Sequence, residues 1–559
     1  MKTLPQYLSK YIVEQNYEKY SALDHAVWRY VLRQLKNFLS KTAHESYLEG
    51  LAKTGIEIER IPRIENISKC LEKFGWIAKP VSGFIPPAAF MELQSLNILP
   101  IASDMRSINH LLYTPAPDIV HEAAGHAPII VNAEYAEYLR QYAQVAKKAI
   151  ISKEDLELYK AIRELSDIKE NPDSTGREVK AAEDNLIKIS KSISFVSEAS
   201  ELSRMNWWTA EYGLVGDLNS PKIFGAGLLS SVSESRWCLS DKVKRIPLSI
   251  DCIKQSYDIT EPQPQLYVAK DFHHLSQVLE ELSETMSYRI GGVNALERAL
   301  KAASINTVEL ENKLQISGIL KKYFVDKNSS PVYLQFEGPT QLAYENQEIP
   351  GHGTQYHVHG YGSPIGEIVD FDITKIQVGT PTVLIYESGV RVSGKLSKIL
   401  GLPGEASGTA CILSFENATC EYKEEKLFLP EWGTYDIVIG QSVKSVFGGP
   451  ADRFAFGEMD DFVAAKVAIK NHTPEQKKLF SYYQEVRDLR EGNNASLNDI
   501  HGLFNKLTDN VPNEWLLFVE LVELSAKLNL DYQLIEKHLL TLEQKSLITD
   551  GLKLAYAEF

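Results

Sequence analysis

The sequence has no CxxC pair, no run of about 18 apolar residues and no excess of positive charge, and each absence removes a class of function. Five cysteines in 559 residues (Cys70, Cys238, Cys252, Cys411 and Cys420) are scattered and odd in number, which speaks against a disulfide framework and a zinc knuckle. A formal net charge of -15 argues against nucleic acid or an anionic membrane surface as the main partner, since both reward basic patches. The opening MKTLPQYLSKYIVEQNYEKY lacks the apolar core of a secretory signal, so a reduced, cytoplasmic protein is expected. There is no internal repeat and no low-complexity tract. What is present is ordinary globular material, 44% apolar, 10% aromatic and 24% charged, long enough for two to four domains and suited to small-molecule chemistry.

Residues 1–305 read as mainly helical. In SALDHAVWRYVLRQLKNFL, Ser21 and Asp24 have capping-box spacing, and Trp28, Val31, Leu32, Leu35 and Leu39 recur at helical period, predicting one buried face. Between about 140 and 200 lies a charge-rich insertion in which Leu158, Ile162 and Leu165, then Val179, Ala182, Leu186 and Ile189, form two stripes around the turn NPDSTG. This predicts a peripheral helical hairpin. From about 306 to 460 the pattern changes to short β-branched runs (SPVYLQF, PTVLIYESGVRVSG, TACILSF, YDIVIG) broken by Gly, Pro and Asn, as in an antiparallel β-rich domain. Helix returns in 461–559, where Thr473 is a predicted N-cap, Pro474 the first helical residue, Gln476 its box partner and Gly492 the stop.

The chemistry concentrates in TPAPDIVHEAAGHAP, residues 114–128. A zinc-peptidase H-E-x-x-H places its histidines four apart on one helical face. Here they are five apart, and at about 100° per residue His121 and His126 would diverge by about 140°. Both reach one ion only if the turn is distorted or ends near Gly125, and a π-bulge or a helix terminus would serve. A third ligand is available in Glu211, a carboxylate set among Trp207, Trp208 and Tyr212, where burial is costly unless it is paired or metal-bound. Two histidines and one carboxylate with open positions opposite suit Fe(II) and O2 chemistry better than zinc.

The surrounding strings resemble the pterin-dependent aromatic amino acid hydroxylases. They run in that family's order: YSALDHAVWRYVLRQL, IERIPRI, GWIAKPVSGFIPPAAF, RSINHLLYTPAPDIVHEAAGHAP, NWWTAEYGL, KIFGAGLLSSVSESRWCLS and QPQLYVAKDF, covering most of 17–290 outside the insertion. The resemblance implies the hydroxylase fold and an iron held by His121, His126 and Glu211. On the substrate side it implies Ser230, hydrogen-bonding a ligand histidine to fix its tautomer, and Arg106, gripping the amino acid carboxylate with its planar fork. Thr114, Trp207 and Gly227 are implied around the aromatic ring. For the tetrahydropterin it implies Gly83, Ile85 and Phe90, with Phe90 stacking on the ring, and Glu122 approaching through hydrogen bonds. Pro87 and Asn206 depart from the family's usual polar residue and tyrosine, and the 85 positions from His126 to Glu211 are about twice the usual gap, a surplus that a surface loop tolerates.

The resulting expectation is a monooxygenase that hydroxylates an aromatic amino acid, phenylalanine foremost, with O2, tetrahydropterin and non-haem Fe(II). Two other readings stand beside it: a zinc metallopeptidase, and a non-catalytic scaffold keeping the fold. The region after 305 is open to homo-oligomer contact, regulation or a partner. In PGHGTQYHVHGYGSPIG, His352, His357 and His359 cluster among glycines, with His357 and His359 expected on one face of a strand and Glu367 or Asp370 nearby as further ligands.

Overall fold

The computed structural model describes residues 4–83, 85–112, 117–170, 174–259, 261–402, 411–457, 472–492 and 495–558. The chain divides into two compact units, one made of Met1–Ala143, Arg204–Val278 and Val463–Phe559, the other of Gln144–Ser203 and Leu279–Phe462.

The first unit is organised by the helix Ala22–Thr42. Its start is fixed as the sequence predicts: Ser21 accepts from the Asp24 backbone N–H and Asp24 from that of Ser21. Trp28, Val31, Leu32, Leu35 and Leu39 are all buried. The strands Ile77–Val81 and Ile98–Ala102 pair in parallel, with the helix Pro87–Ser95 lying between them in sequence. A four-stranded sheet follows in the order Lys222–Ile223, Leu214–Val215, Gln265–Ala269, Lys244–Pro247.

Five helices among the described residues close the unit at its C-terminal end, from Pro474–Gly492 to Lys545–Glu558. The first is capped as predicted, by reciprocal bonds between Thr473 and Gln476. Trp515–Lys527 buries nearly every side chain, and it meets Ala22–Thr42 where Tyr30 packs edge-on against Trp515 and Arg29 forms a bidentate bond to Glu520.

In the second unit the predicted hairpin is two helices, Lys153–Glu170 and Gly176–Ser192, the latter capped by Thr175 and Glu178 and cross-linked to its partner by Lys169–Glu183. Residues 171–173 of its turn lie outside the described residues. Two antiparallel sheets carry the β-rich region. One has the strand order Gln347–Glu348, Pro331–Tyr344, Leu314–Val325, Ile305–Leu310, Val443–Gly448, with Gly360–Pro364 also paired to Pro331–Tyr344. The other runs Pro381–Ile385, Arg391–Gly401, Cys411–Tyr422, Glu425–Phe428, with Tyr435–Ile439 paired to Cys411–Tyr422. Over their described residues, the four runs read as strands from the sequence fall on these strands; Thr409 and Ala410 lie outside the described residues. Each sheet has its own apolar core, one around Ile316, Leu334 and Val446, the other around Val392, Leu413 and Phe415. All five cysteines are free, and no helix among the described residues is long and apolar enough to cross a membrane.

Candidate active site

The backbone resolves the five-residue spacing by widening its turn. Val120–His126 is a π-helix, closed where the Ala127 N–H donates to the Glu122 carbonyl. Glu211 ends a second π-helix, Trp207–Glu211, whose closing bond runs from the Tyr212 N–H to the Trp207 carbonyl at 2.8 Å. Such wide turns cluster at functional sites, and here they bring the three predicted ligands together. His126 Nε2 lies 3.2 Å from His121 Nε2, and the Glu211 carboxylate spans the pair, Oε2 3.3 Å from His121 Nε2 and Oε1 3.3 Å from His126 Nε2. Nitrogen and oxygen ligands about 2.0–2.2 Å from one ion stand roughly 2.9–3.6 Å apart. The spacing and the donor chemistry both fit a bound divalent metal.

The second ring nitrogen of His121 is also determined. Nδ1 lies 3.1 Å from Ser230 Oγ, and that hydroxyl spends its only proton on the Ala226 carbonyl at 2.7 Å. Ser230 therefore accepts from His121 Nδ1–H, which leaves the Nε2 lone pair facing the other two ligands. Burial alone would raise the Glu211 carboxyl, but the positive charge that His126 and His121 carry when protonated outweighs it and holds the group well below the usual carboxylate range. Glu122 behaves oppositely: burial pushes it up to about 8, although His126 draws it down, and its Oε2 is buried without a hydrogen-bond partner. An unsatisfied carboxyl oxygen beside the ligand set fits a polar cofactor at this place.

Arg106 is buried and engaged. Its Nε and Nη2 donate to the Asp118 carboxylate at 2.7 and 2.8 Å, and Nη1 to the Ser230 carbonyl at 3.3 Å. Asp118, which the sequence reading passed over, also accepts the backbone N–H of Arg106 and of His121. It thus joins the arginine to the start of the ligand helix. Its one sequence signal is an aspartate three residues before His121, at capping distance.

Thr114 lies outside the described residues. Trp207 is stacked with Tyr212 and Tyr257 at centroid distances of 4.4 and 4.3 Å, and Gly227 sits in the short buried helix Ala226–Leu229. Of the residues implied for the pterin, Gly83 donates its N–H to Asp104, Ile85 is buried, and Phe90 is half-buried on the helix Pro87–Ser95, which the departing Pro87 opens. Asn206 closes the helix that runs into the second π-turn. In the β-rich unit the histidine cluster is re-sorted. Residues 350–359 are loop and turn, not strand, so His357 is buried while His359 is exposed. Glu367 and Asp370 are exposed too, and the carboxylate that joins His352 and His357 is that of Asp436.

The profile of the biopterin-dependent aromatic amino acid hydroxylases matches residues 9–157 and 181–315. The chain belongs to that family. Among curated relatives, phenylalanine-4-hydroxylase of Pseudomonas aeruginosa is 28% identical over 283 residues, 50% of this chain and 90% of that protein. The enzyme of the same name from Vibrio cholerae is 25% identical over 280 residues, 50% of this chain and 81% of that protein. Among solved structures, iron- and phenylalanine-bound phenylalanine hydroxylase from Chromobacterium violaceum is 24% identical, covers 49% of this chain and 86% of that chain, and superposes with a TM-score of 0.38. Membership of the hydroxylase family favours neither the metallopeptidase nor the inert-scaffold reading, and in this chain the two histidines stand five apart on a π-helix, not four apart as in the peptidase pattern.

Proposed function

We propose that the protein is a cytoplasmic phenylalanine 4-monooxygenase, converting phenylalanine to tyrosine with O2 and a tetrahydropterin at an iron held by His121, His126 and Glu211. The observation that carries the reading is the meeting of those three donors, from two π-helices 85 positions apart, in a chain of this family. A set of two imidazoles and one carboxylate leaves one side of the metal open, the arrangement of non-haem iron oxygenases.

Fe(II) bound there supplies O2 activation and the reduced pterin supplies two electrons. The chain's own tasks are positional. Ser230 holds His121 in the tautomer that presents Nε2. Asp118 fixes the Arg106 guanidinium, whose Nη1 is the nitrogen not committed to the carboxylate and the one we assign to the substrate's carboxylate. Trp207, Thr114 and Gly227 are assigned to the walls around the aromatic ring, and Gly83, Ile85, Phe90 and Glu122 to the pterin. Holding ring and cofactor in register on a dry face of the metal replaces acid–base catalysis as the protein's contribution. A homo-oligomer formed through the C-terminal region belongs to the same proposal, supported by the exposed Leu534, Leu540 and Tyr556.

The test is pterin-dependent oxygen uptake with phenylalanine, tyrosine and tryptophan in turn, alongside metal analysis. Wild type should hold iron and turn over phenylalanine fastest, and Glu211→Ala should lose both iron and turnover. An iron-replete, fully active Glu211→Ala enzyme would refute the ligand assignment.

A further inference from the structure

The β-rich unit contains a second constellation with the same donor chemistry. His352 and His357 lie in the loop after the strand Gln347–Glu348, and Asp436 lies on the strand Tyr435–Ile439. His352 Nδ1 and His357 Nε2 are 3.3 Å apart, and with an Asp436 carboxylate oxygen all three donor atoms lie within 4.8 Å of one another. Two ligands about 2.05 Å from one ion at a near-tetrahedral angle are separated by roughly that nitrogen–nitrogen distance. It also matches the 3.2 Å between His121 and His126.

The loop is held to the sheet at both histidines. The His352 carbonyl accepts the Leu342 N–H at 2.9 Å and the His357 carbonyl the Thr340 N–H at 3.0 Å, both from the long strand Pro331–Tyr344. The His357 N–H closes the turn on the Gly353 carbonyl at 3.2 Å. All three donor residues are at least nine-tenths buried, at 4%, 9% and 5% exposure. Ser414 Oγ donates to Asp436 Oδ1 at 2.5 Å, an outer contact of the kind that orients metal ligands. Burying a carboxylate is costly without a counter-charge, and no lysine or arginine forms an ion pair with Asp436 among the described residues.

We propose that His352, His357 and Asp436 form a second metal site, which takes a divalent late first-row ion of the zinc class. Two imidazoles select against calcium and magnesium, which prefer all-oxygen shells. The site is independent of the hydroxylase ligands and stands whether or not they hold iron.

The experiment uses the full chain carrying His121→Ala and His126→Ala, stripped of metal and titrated with Co(II), with visible absorption and bound-metal analysis as readouts. One equivalent should bind with intense ligand-field bands, and Zn(II) should displace it. Adding Asp436→Asn, which keeps size and one oxygen to accept from Ser414, should weaken binding at least tenfold with an unchanged far-ultraviolet circular dichroism spectrum. His357→Gln should do the same and serves as the second variant if Asp436→Asn misfolds. Absence of bound Co(II) in the parent variant, or uptake unaffected by a folded Asp436→Asn or His357→Gln, would overturn the site and leave an imidazole–imidazole hydrogen bond in its place.

Discussion

At the scale of single residues, one proton decides how His121 can act. The Ser230 hydroxyl gives its proton to the Ala226 carbonyl and so receives that of His121 Nδ1. Ser230→Ala leaves the partly buried Nδ1–H without its acceptor and the ring free to turn. Loss of such an outer contact costs about 10–100-fold in metal affinity, and we expect a drop of that size in iron affinity with the fold retained. Competition against a graded chelator measures it, and unchanged affinity would mean that packing alone orients the ring. That His121, His126 and Glu211 meet was legible in the sequence because donor chemistry survives without coordinates, and Ser230 came with the resemblance. Asp118 was not, since nothing local to PDIVHE shows that an arginine twelve positions earlier closes upon it.

At the scale of elements, the wide turn depends on small residues. Between the two histidines stand Glu122, Ala123, Ala124 and Gly125, all buried, and a Cβ on Gly125 would sit 2.7 Å from the Ala226 carbonyl oxygen, the acceptor of the Ser230 proton. The helix Ala226–Leu229 therefore approaches the π-helix as closely as backbone allows. Gly125→Ala must push the two apart. Overpacking of this kind costs about 1–3 kcal/mol, and because His126 and Ser230 move with the displaced segments, iron occupancy should fall along with the melting temperature. A variant as stable and as iron-loaded as wild type would show that the contact can relax without touching the ligands. The five-residue spacing announced this irregular turn, since a regular helix could not bring both imidazoles to one ion. The same reasoning by period failed at His357 and His359. Alternation predicts a shared face only in a strand, and residues 350–359 instead form a turn between two strands, with bends after His357.

At the scale of the whole molecule, the first unit joins the ends of the chain through buried charge. Arg29 and Arg33 on Ala22–Thr42 pair with Glu520 and Glu523 on Trp515–Lys527, and Arg490, 3.1 Å from Glu523 and 3.5 Å from Glu520, also reaches Glu59. Element types in this C-terminal region could be read from capping and periodicity. The pairing could not, because Arg29 and Glu520 are 491 positions apart and neither is unusual in its own stretch. Three arginines facing three glutamates are neutral as a set, so the network is stable only while complete. Arg490→Ala leaves Glu520, Glu523 and the half-exposed Glu59 sharing two arginines, with Glu520 and Glu523 themselves out of reach of water. Removing one partner of a buried ionic set costs about 3–5 kcal/mol, and we expect a loss of that order in the urea unfolding free energy of this unit, followed by tryptophan fluorescence. Arg490→Lys should recover only part of it, since a single ammonium cannot match a planar fork that reaches several carboxylates at once. If Arg490→Ala unfolds at the wild-type urea concentration, the charges are solvated rather than locked. The C-terminal helices would then owe their place on Ala22–Thr42 to apolar contacts such as Tyr30 against Trp515.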